Sequence, residues 1–283
     1  MAVIGITAIL AAGMLAGCSG GADDNGQESQ SAQAASGDSA AQSSSAASED
    51  DGASGETQSI TVSAAASLTD VLNELAEKYK EQDPGMGISF TFGGSGALQT
   101  QIEEGAPVDL FFSAAEENMD ALEEEGLIDT ATRKDILKNE IVLIAPQGET
   151  SVSSFENILD SDPQIALGQA ESVPAGKYAQ EIFENLGIWE EVQSHAVFAS
   201  TVREVLSWVE AGEADCGVVY ATDAMTSDQV QAVCNAPENG PEVLYPAAVI
   251  KDCANPDGAE KFLDYLTGDE AKAAFESYGF IVL

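Results

Sequence analysis

Along this chain the spacing of apolar residues switches repeatedly between strand-like runs and helical periods. Ile60 to Ala66 is a β-branched and small apolar run, after which Leu68, Val71, Leu72, Leu75 and Ala76 fall on one helical face. Ser67 stands at the change and reads as an N-cap, with Asp70 three residues on completing a capping box. Ile88 to Phe92 alternates as a strand and breaks at Gly93-Gly94-Ser95-Gly96, before a helix predicted from Ala97 to Glu104. Val108 to Ser113 is a second apolar run, followed by a helix from Glu116 that stops at Gly126. Further strands are predicted at Glu140–Ala145, Gln164–Gly168, His195–Ala199, Cys216–Tyr220 and Val243–Ile250. Helices are predicted near Val152–Leu159, at Lys177–Leu186, from Thr201 to Ala211, and at Pro256–Leu266 and Asp269–Tyr278. Strands alternating with helices imply an α/β fold with mostly parallel sheets.

The first 58 residues do not share this pattern. Ala2 to Gly17 is almost wholly apolar and ends in Leu15-Ala16-Gly17-Cys18. That is the length and ending of a secretory signal rather than of a membrane-spanning helix, so 1–17 is read as a signal peptide. Leu-Ala-Gly-Cys resembles the lipobox of bacterial lipoproteins, in which Cys18 is lipidated and becomes the mature N-terminus; no Lys or Arg precedes the apolar stretch. Residues 18–58 are, apart from Cys18, Asn25 and Thr57, all Ser, Ala, Gly, Gln, Asp and Glu, with no aromatic and no large aliphatic side chain, a composition that cannot offset its ordering entropy. As a flexible coil of about 40 residues, this tether has a mean reach of roughly 35 Å. The expectation is a domain moored to the outer face of a cell membrane and mobile above it.

Formal net charge is −39, and the tether holds 8 of the 49 acids and none of the 10 bases, leaving −31 on the remainder. So few cations cannot assemble a basic face, which excludes nucleic acid as a partner and argues against charge-driven binding to anionic lipid. Runs such as Glu123-Glu124-Glu125 read as solvated helix faces. With Cys18 taken by lipid, Cys216, Cys234 and Cys253 remain. Cys216, in an apolar run, reads as a small buried hydrophobe. Cys234 and Cys253 are the pair free to form a disulfide, and no spacing suits zinc.

The candidate chemistry lies where strand-like runs meet helix starts at small or hydroxyl residues: Ala66-Ser67, Gly94-Ser95, Pro174-Ala175-Gly176 and Thr201-Val202. The first N–H groups of a helix lack intrahelical partners and carry the positive end of its dipole, so such starts suit anions. In open α/β sheets ligands bind at the carboxyl ends of strands, where these junctions collect. Each junction alone also describes an ordinary capped helix; their number and spread favour a shared anion site, with Tyr220 adding a phenolic donor. The single His195 has no nucleophile motif around it and reads as a surface or strand-edge residue, so no enzyme is expected. A ferric-ion site would need clustered Tyr, His and carboxylates, and an adhesion module would not need the junctions.

Ala-Ala-Ala-Ser-Leu-Thr at 64–69, Phe92-Gly-Gly-Ser-Gly-Ala-Leu98, Gln101 to Phe111, Val-Pro-Ala-Gly-Lys-Tyr-Ala at 173–179, Val202-Arg-Glu-Val-Leu206 and Gly-Val-Val-Tyr-Ala-Thr-Asp-Ala at 217–224 resemble, in order, the molybdate-binding proteins of bacterial ABC importers. The resemblance runs from about Ile60 to Leu283. It implies a two-lobed periplasmic-binding-protein fold (type II) with the ligand clamped in a cleft between lobes. The lobes would be 59–139 plus 242–283, and 140–241. The ligand positions it implies are Ser67, Ser95, Ala175, Val202 and Tyr220, holding molybdate or tungstate without any cofactor. Asp70 stands where some members carry Asn and is read as capping its helix. The partners implied are a small oxyanion and the permease and ATPase of an ABC importer, with the receptor a monomer. Molybdate, tungstate and sulfate accept hydrogen bonds on every oxygen, whereas hydrogen phosphate carries a proton that a donor-only site leaves unpaired. That chemistry sorts phosphate away and leaves sulfate as the alternative.

Overall fold

In the computed structural model, which describes residues 58–283 apart from Glu149, the alternating pattern becomes two sheets. β1 (Gln58–Ala65) passes through a 3-10 turn at Ala66–Leu68 into α1 (Thr69–Gln82), β2 (Met86–Gly93) leads to α2 (Ser95–Glu103), and β3 (Leu110–Phe112) to α3 (Glu116–Glu124). β4 (Lys134–Asn139) and β5 (Ile141–Pro146) follow almost without a break. Then come β6 (Ile165–Gly168), α4 (Pro174–Asn185), α5 (Trp189–His195), β7 (Ala196–Ala199), α6 (Val202–Glu210), β8 (Cys216–Tyr220), the short α7 (Ala221–Ala224) and β9 (Val230–Asn235). β10 (Val243–Val249), α8 (Pro256–Leu266), α9 (Asp269–Ser277) and β11 (Ile281–Val282) complete the chain. The signal peptide, Cys18 and the tether as far as residue 57 lie outside the described residues.

One sheet runs β11-β4-β10-β3-β1-β2 and the other β7-β6-β8-β5-β9. The chain passes from the first to the second between Asn139 and Ile141, and back between Asn235 and Val243. The sheets are mixed, not mostly parallel. Among the described residues β1–β2, β1–β3, β6–β7 and β6–β8 pair in parallel. The pairs β3–β10, β4–β10, β4–β11, β5–β8 and β5–β9 are antiparallel. Parallel pairing needs a long crossover, usually helical; the strands on either side of the two passages lack one and pair antiparallel.

Burial follows each strand's place in its sheet. Ile60, Val62 and Ala64 of β1, between two neighbours, are all but inaccessible, as are Ile141 to Ala145 of β5. The edge strand β2 alternates instead, and its Phe90 and Phe92 stack at 5.1 Å beside Phe262 of α8. α1 lays Val71, Leu72, Leu75 and Tyr79 on the same core, each of the aliphatic ones contributing roughly 1.5–3 kcal/mol by burial. The helix predicted near Val152–Leu159 is a string of turns. Val152, Phe155 and Ile158 are buried at a helix-like spacing, but Thr150 and Ser154 hydroxyls accept from the Val152 and Asn157 amides, a local competition that unmakes helices. His195 closes α5, and the strand begins at Ala196. Cys216, Cys234 and Cys253 are free thiols, so the disulfide is not formed. Burial pushes the Cys216 thiol up to about 12, as befits a small core residue.

Candidate functional site

The four junctions are built in four different ways. Ser67 does not cap α1: it sits inside the 3-10 turn, and Leu68 occupies the N-cap position with no side-chain cap. The buried Ser67 hydroxyl instead meets the hydroxyl of Tyr245 at 3.0 Å, a partner 178 residues away. Asp70 does not cap either; its carboxylate pairs with Arg203 Nη2 at 2.7 Å. Ser95 is the first residue of α2, fully buried, and its Oγ accepts from the Ala114 amide at 3.0 Å. Ala175 is the second residue of α4, behind Pro174, a position whose N–H has no acceptor within the helix. Val202 opens α6, and here the predicted cap holds: Thr201 Oγ1 accepts from the Glu204 amide at 3.1 Å. Tyr220 ends β8, buried, with a hydroxyl that has no hydrogen-bond partner.

These elements converge. Ser67, Gly94, Ser95, Pro174, Val202 and Tyr220 line one small cavity between the two sheets. Ala175 itself is not among the lining residues; its neighbours Val173 and Pro174 are. The space measures about 10 Å3 for the centre of a water-sized sphere, about what one water requires. No lining residue carries a formal charge. Burial raises the Tyr220 and Tyr245 phenols well above their ordinary range, so both stay protonated and neutral.

The two halves touch beside the cavity. The Gly96 amide donates to the Ser172 carbonyl at 3.0 Å, and a Cβ placed on Gly94 would lie 2.4 Å from that same oxygen. Tyr178 donates to the Ala114 carbonyl at 3.4 Å, Lys177 pairs with Glu117, and Arg203 reaches from α6 to Asp70 on α1. Arg203 also sets its Nε 2.7 Å from the buried Asp223, whose carboxyl desolvation pushes up to about 6 against the pull of the arginine. Beside this joint lies a broader depression of about 730 Å3, lined by both signs of charge, including Asp70, Arg203 and Glu210.

Residues beyond the junction set complete the surroundings. Tyr245 and Asn139 line up behind Ser67, with Asn139 Nδ2 donating to the Tyr245 hydroxyl at 3.2 Å. No sequence signal marks them, since β4 and β10 meet only in the folded sheet. His195 is not among the lining residues and sits 3.4 Å from Asp162. Among the described residues no cluster of His, Cys, Asp or Glu could hold a metal ion. The chemistry available is that of hydroxyl and amide donors around an uncharged, desolvated point, which suits an anion held by hydrogen bonds.

Comparison with known proteins agrees with that geometry. The model of the bacterial extracellular solute-binding proteins matches residues 60–281. YvgL of Bacillus subtilis (strain 168), a candidate ABC transporter substrate-binding lipoprotein, is 43% identical over 224 residues, spanning 78% of this chain and 86% of that one. The molybdate-binding protein ModA of Haemophilus influenzae is 39% identical over 229 residues, 78% of this chain and 89% of its own. The substrate binding domain of a candidate molybdenum ABC transporter from Clostridium difficile superposes with a TM-score of 0.61 at 40% identity, covering 80% of this chain and 99% of that one.

Proposed function

The chain belongs to the bacterial extracellular solute-binding proteins, and we propose that it is a receptor for molybdate or tungstate that delivers the oxyanion to an ABC importer. The observation that carries this reading is the small, uncharged cavity on which Ser67, Ser95, Val202 and Tyr220 converge from both sheets. Ser67 and Ser95 offer hydroxyls, the starts of α4 and α6 offer amides, and Tyr220 offers a phenolic proton that nothing else uses. In a site without water each bond to a dianion is worth roughly 1.5–3 kcal/mol, so several suffice without a countercharge. The helix dipoles act through the same amides and add no separate sum. We assign ligand contact to Ser67, Ser95, Ala175, Val202 and Tyr220, Ala175 through its backbone alone. The lobes we propose are 59–139 with 242–283, and 140–241, closing as a monomer on the anion. Sulfate is the second reading, because the same donor-only lining suits it. No catalysis and no cofactor are part of the proposal.

Titration calorimetry with molybdate, tungstate, sulfate and hydrogen phosphate tests it. Molybdate and tungstate should bind at least a hundredfold more tightly than hydrogen phosphate. Tightest binding of sulfate would select the second reading, and binding of none would remove both. We further propose that the receptor is anchored through a lipid on Cys18, from Leu15-Ala16-Gly17-Cys18 and from the lipoprotein relative in B. subtilis. Mass spectrometry of the membrane fraction should find a diacyl or triacyl Cys18 terminus; a soluble protein starting elsewhere refutes the anchor.

A further inference from the structure

The Ser67 hydroxyl points its proton in one direction, and the direction can be derived from its neighbours. Asn139 Oδ1 accepts from the Glu140 amide at 2.9 Å. A backbone N–H can only donate, so this end of the Asn139 side chain is its oxygen and the other is its NH2. The NH2 then donates to Thr222 Oγ1 at 2.8 Å and to the Tyr245 hydroxyl at 3.2 Å. Tyr245 has one proton of its own, and its remaining partner is Ser67 Oγ at 3.0 Å. If Ser67 donated to Tyr245 instead, the phenol would accept twice and its own proton would be left buried without an acceptor, a penalty proteins avoid. Ser67 Oγ therefore accepts from Tyr245 and keeps its proton for the cavity that it lines.

Ser95 reaches the same polarity by a different route. Its Oγ accepts from the Ala114 backbone amide, a donor that cannot be reversed. The two serines are thus both turned proton-first toward the cavity, one by the main chain and one by a relay of side chains. Resting on the oxyanion reading above, we propose that Tyr245, with Asn139 behind it, is a positioning residue that keeps the Ser67 proton aimed at the cavity and so disfavours oxyanions that carry a proton of their own. Asn139 also ties the relay to Thr222 of α7, just beyond the second sheet's β8, at the point where the chain passes between sheets. The relay is therefore complete only when both halves of the molecule are in place.

Tyr245→Phe is the direct test, because it removes the hydroxyl and keeps the ring packed at 5.7 Å from Tyr220 and 5.6 Å from Phe280. The Ser67 hydroxyl is then free to rotate, turn its proton away and present a lone pair to the proton of hydrogen phosphate or hydrogen arsenate. Calorimetry at constant pH should show molybdate affinity falling about tenfold and the preference for molybdate over hydrogen phosphate falling at least thirtyfold. In a Ser67→Ala background the same substitution should change that preference less than threefold, while Ser95→Ala should leave the Tyr245→Phe effect intact. An unchanged preference in Tyr245→Phe, or an equal change with and without Ser67, overturns the proposal. Neutron diffraction from the deuterated wild-type protein decides the polarity without any variant or ligand. The deuteron of Tyr245 should point at Ser67 Oγ, and one found on Ser67 pointing at Tyr245 would refute the relay. If the wild type binds no oxyanion the functional reading falls, and the neutron map still rules on the hydrogen-bond direction.

Discussion

The two halves of the cavity do the same work with different parts. The half built on the first sheet offers hydroxyls, Ser67 and Ser95, and a hydroxyl must be aimed by something else: Tyr245 for one, the Ala114 amide for the other. The half built on the second sheet offers the Tyr220 hydroxyl at the end of β8 and the starts of α4 and α6, whose amides, unlike any hydroxyl, are aimed by the helix itself. Direction is therefore acquired by tertiary contact on one side and inherited from secondary structure on the other. Glycine shows the same division. Gly94 lacks a Cβ because the opposite half presses its Ser172 carbonyl there, whereas Gly176 lacks one because Gly168 of its own half does. One glycine is needed for the two halves to meet, the other for a single half to fold.

Alanine at each of these positions should separate the two roles. In Gly176→Ala the new Cβ would fall 2.1 Å from the Gly168 oxygen and 2.5 Å from its carbon, backbone atoms that have nowhere to go. Overpacking of this kind costs about 3 kcal/mol or more, a loss of roughly 6–12 °C in melting temperature for a domain of this size. Gly94→Ala should leave the unliganded melting temperature within about 2 °C, because a parted cleft removes the clash. Its molybdate affinity should nevertheless drop on the order of a hundredfold, and small-angle scattering should no longer show contraction on adding ligand. Equal destabilisation by both substitutions would mean that the Gly94 contact is part of the fold and not of closure.

The same division governs how much of the site could be read from the chain. Helix starts are local events, so Ser95, Pro174 and the Thr201–Val202 start are legible as small or hydroxyl residues at strand-to-helix junctions. At Ser67 the spacing predicts a cap, and the structure turns its hydroxyl to Tyr245 instead. Asp70 misled in the same way, its partner Arg203 lying 133 positions away. Tyr245 and Asn139 give no local signal, because their side chains bond to each other and to Ser67 and Thr222, partners 83 to 178 residues away. β4 and β9 escaped notice for a related reason: Lys134 to Asn139 and Val230 to Asn235 carry polar residues among the apolar ones and become strands by pairing with β10 and β5. The alternation predicted α/β layers correctly. The mixed sheets, which depend on where the chain changes lobes, lay beyond any local pattern.

The joint between the halves yields a smaller and pH-dependent effect. Arg203 of the second half sits between Asp70 of the first, at 2.7 Å from Nη2, and Asp223 of its own, at 2.7 Å from Nε. Asp223 is fully buried, and desolvation outweighs the arginine, so its carboxyl titrates near 6 when folded against 3.8 for the free group. Between these values the folded protein holds a proton that the unfolded chain has released. Stability from this group is therefore complete below about pH 4 and is lost as pH rises to about 6, the reverse of an ordinary salt-bridged carboxylate. Asp223→Asn copies the protonated shape and does not titrate. Urea unfolding should give the variant and the wild type similar stability at pH 4, with the variant ahead by on the order of 2 kcal/mol at pH 7. Molybdate affinity should change less than tenfold, since Arg203 keeps Asp70 and no charge lines the cavity. If the wild type were instead the more stable at pH 7, the Arg203 pairing would outweigh burial. The joint would then be an ion pair holding the halves together, and aiming the ligand donors would no longer be the only thing the second half inherits from its own fold.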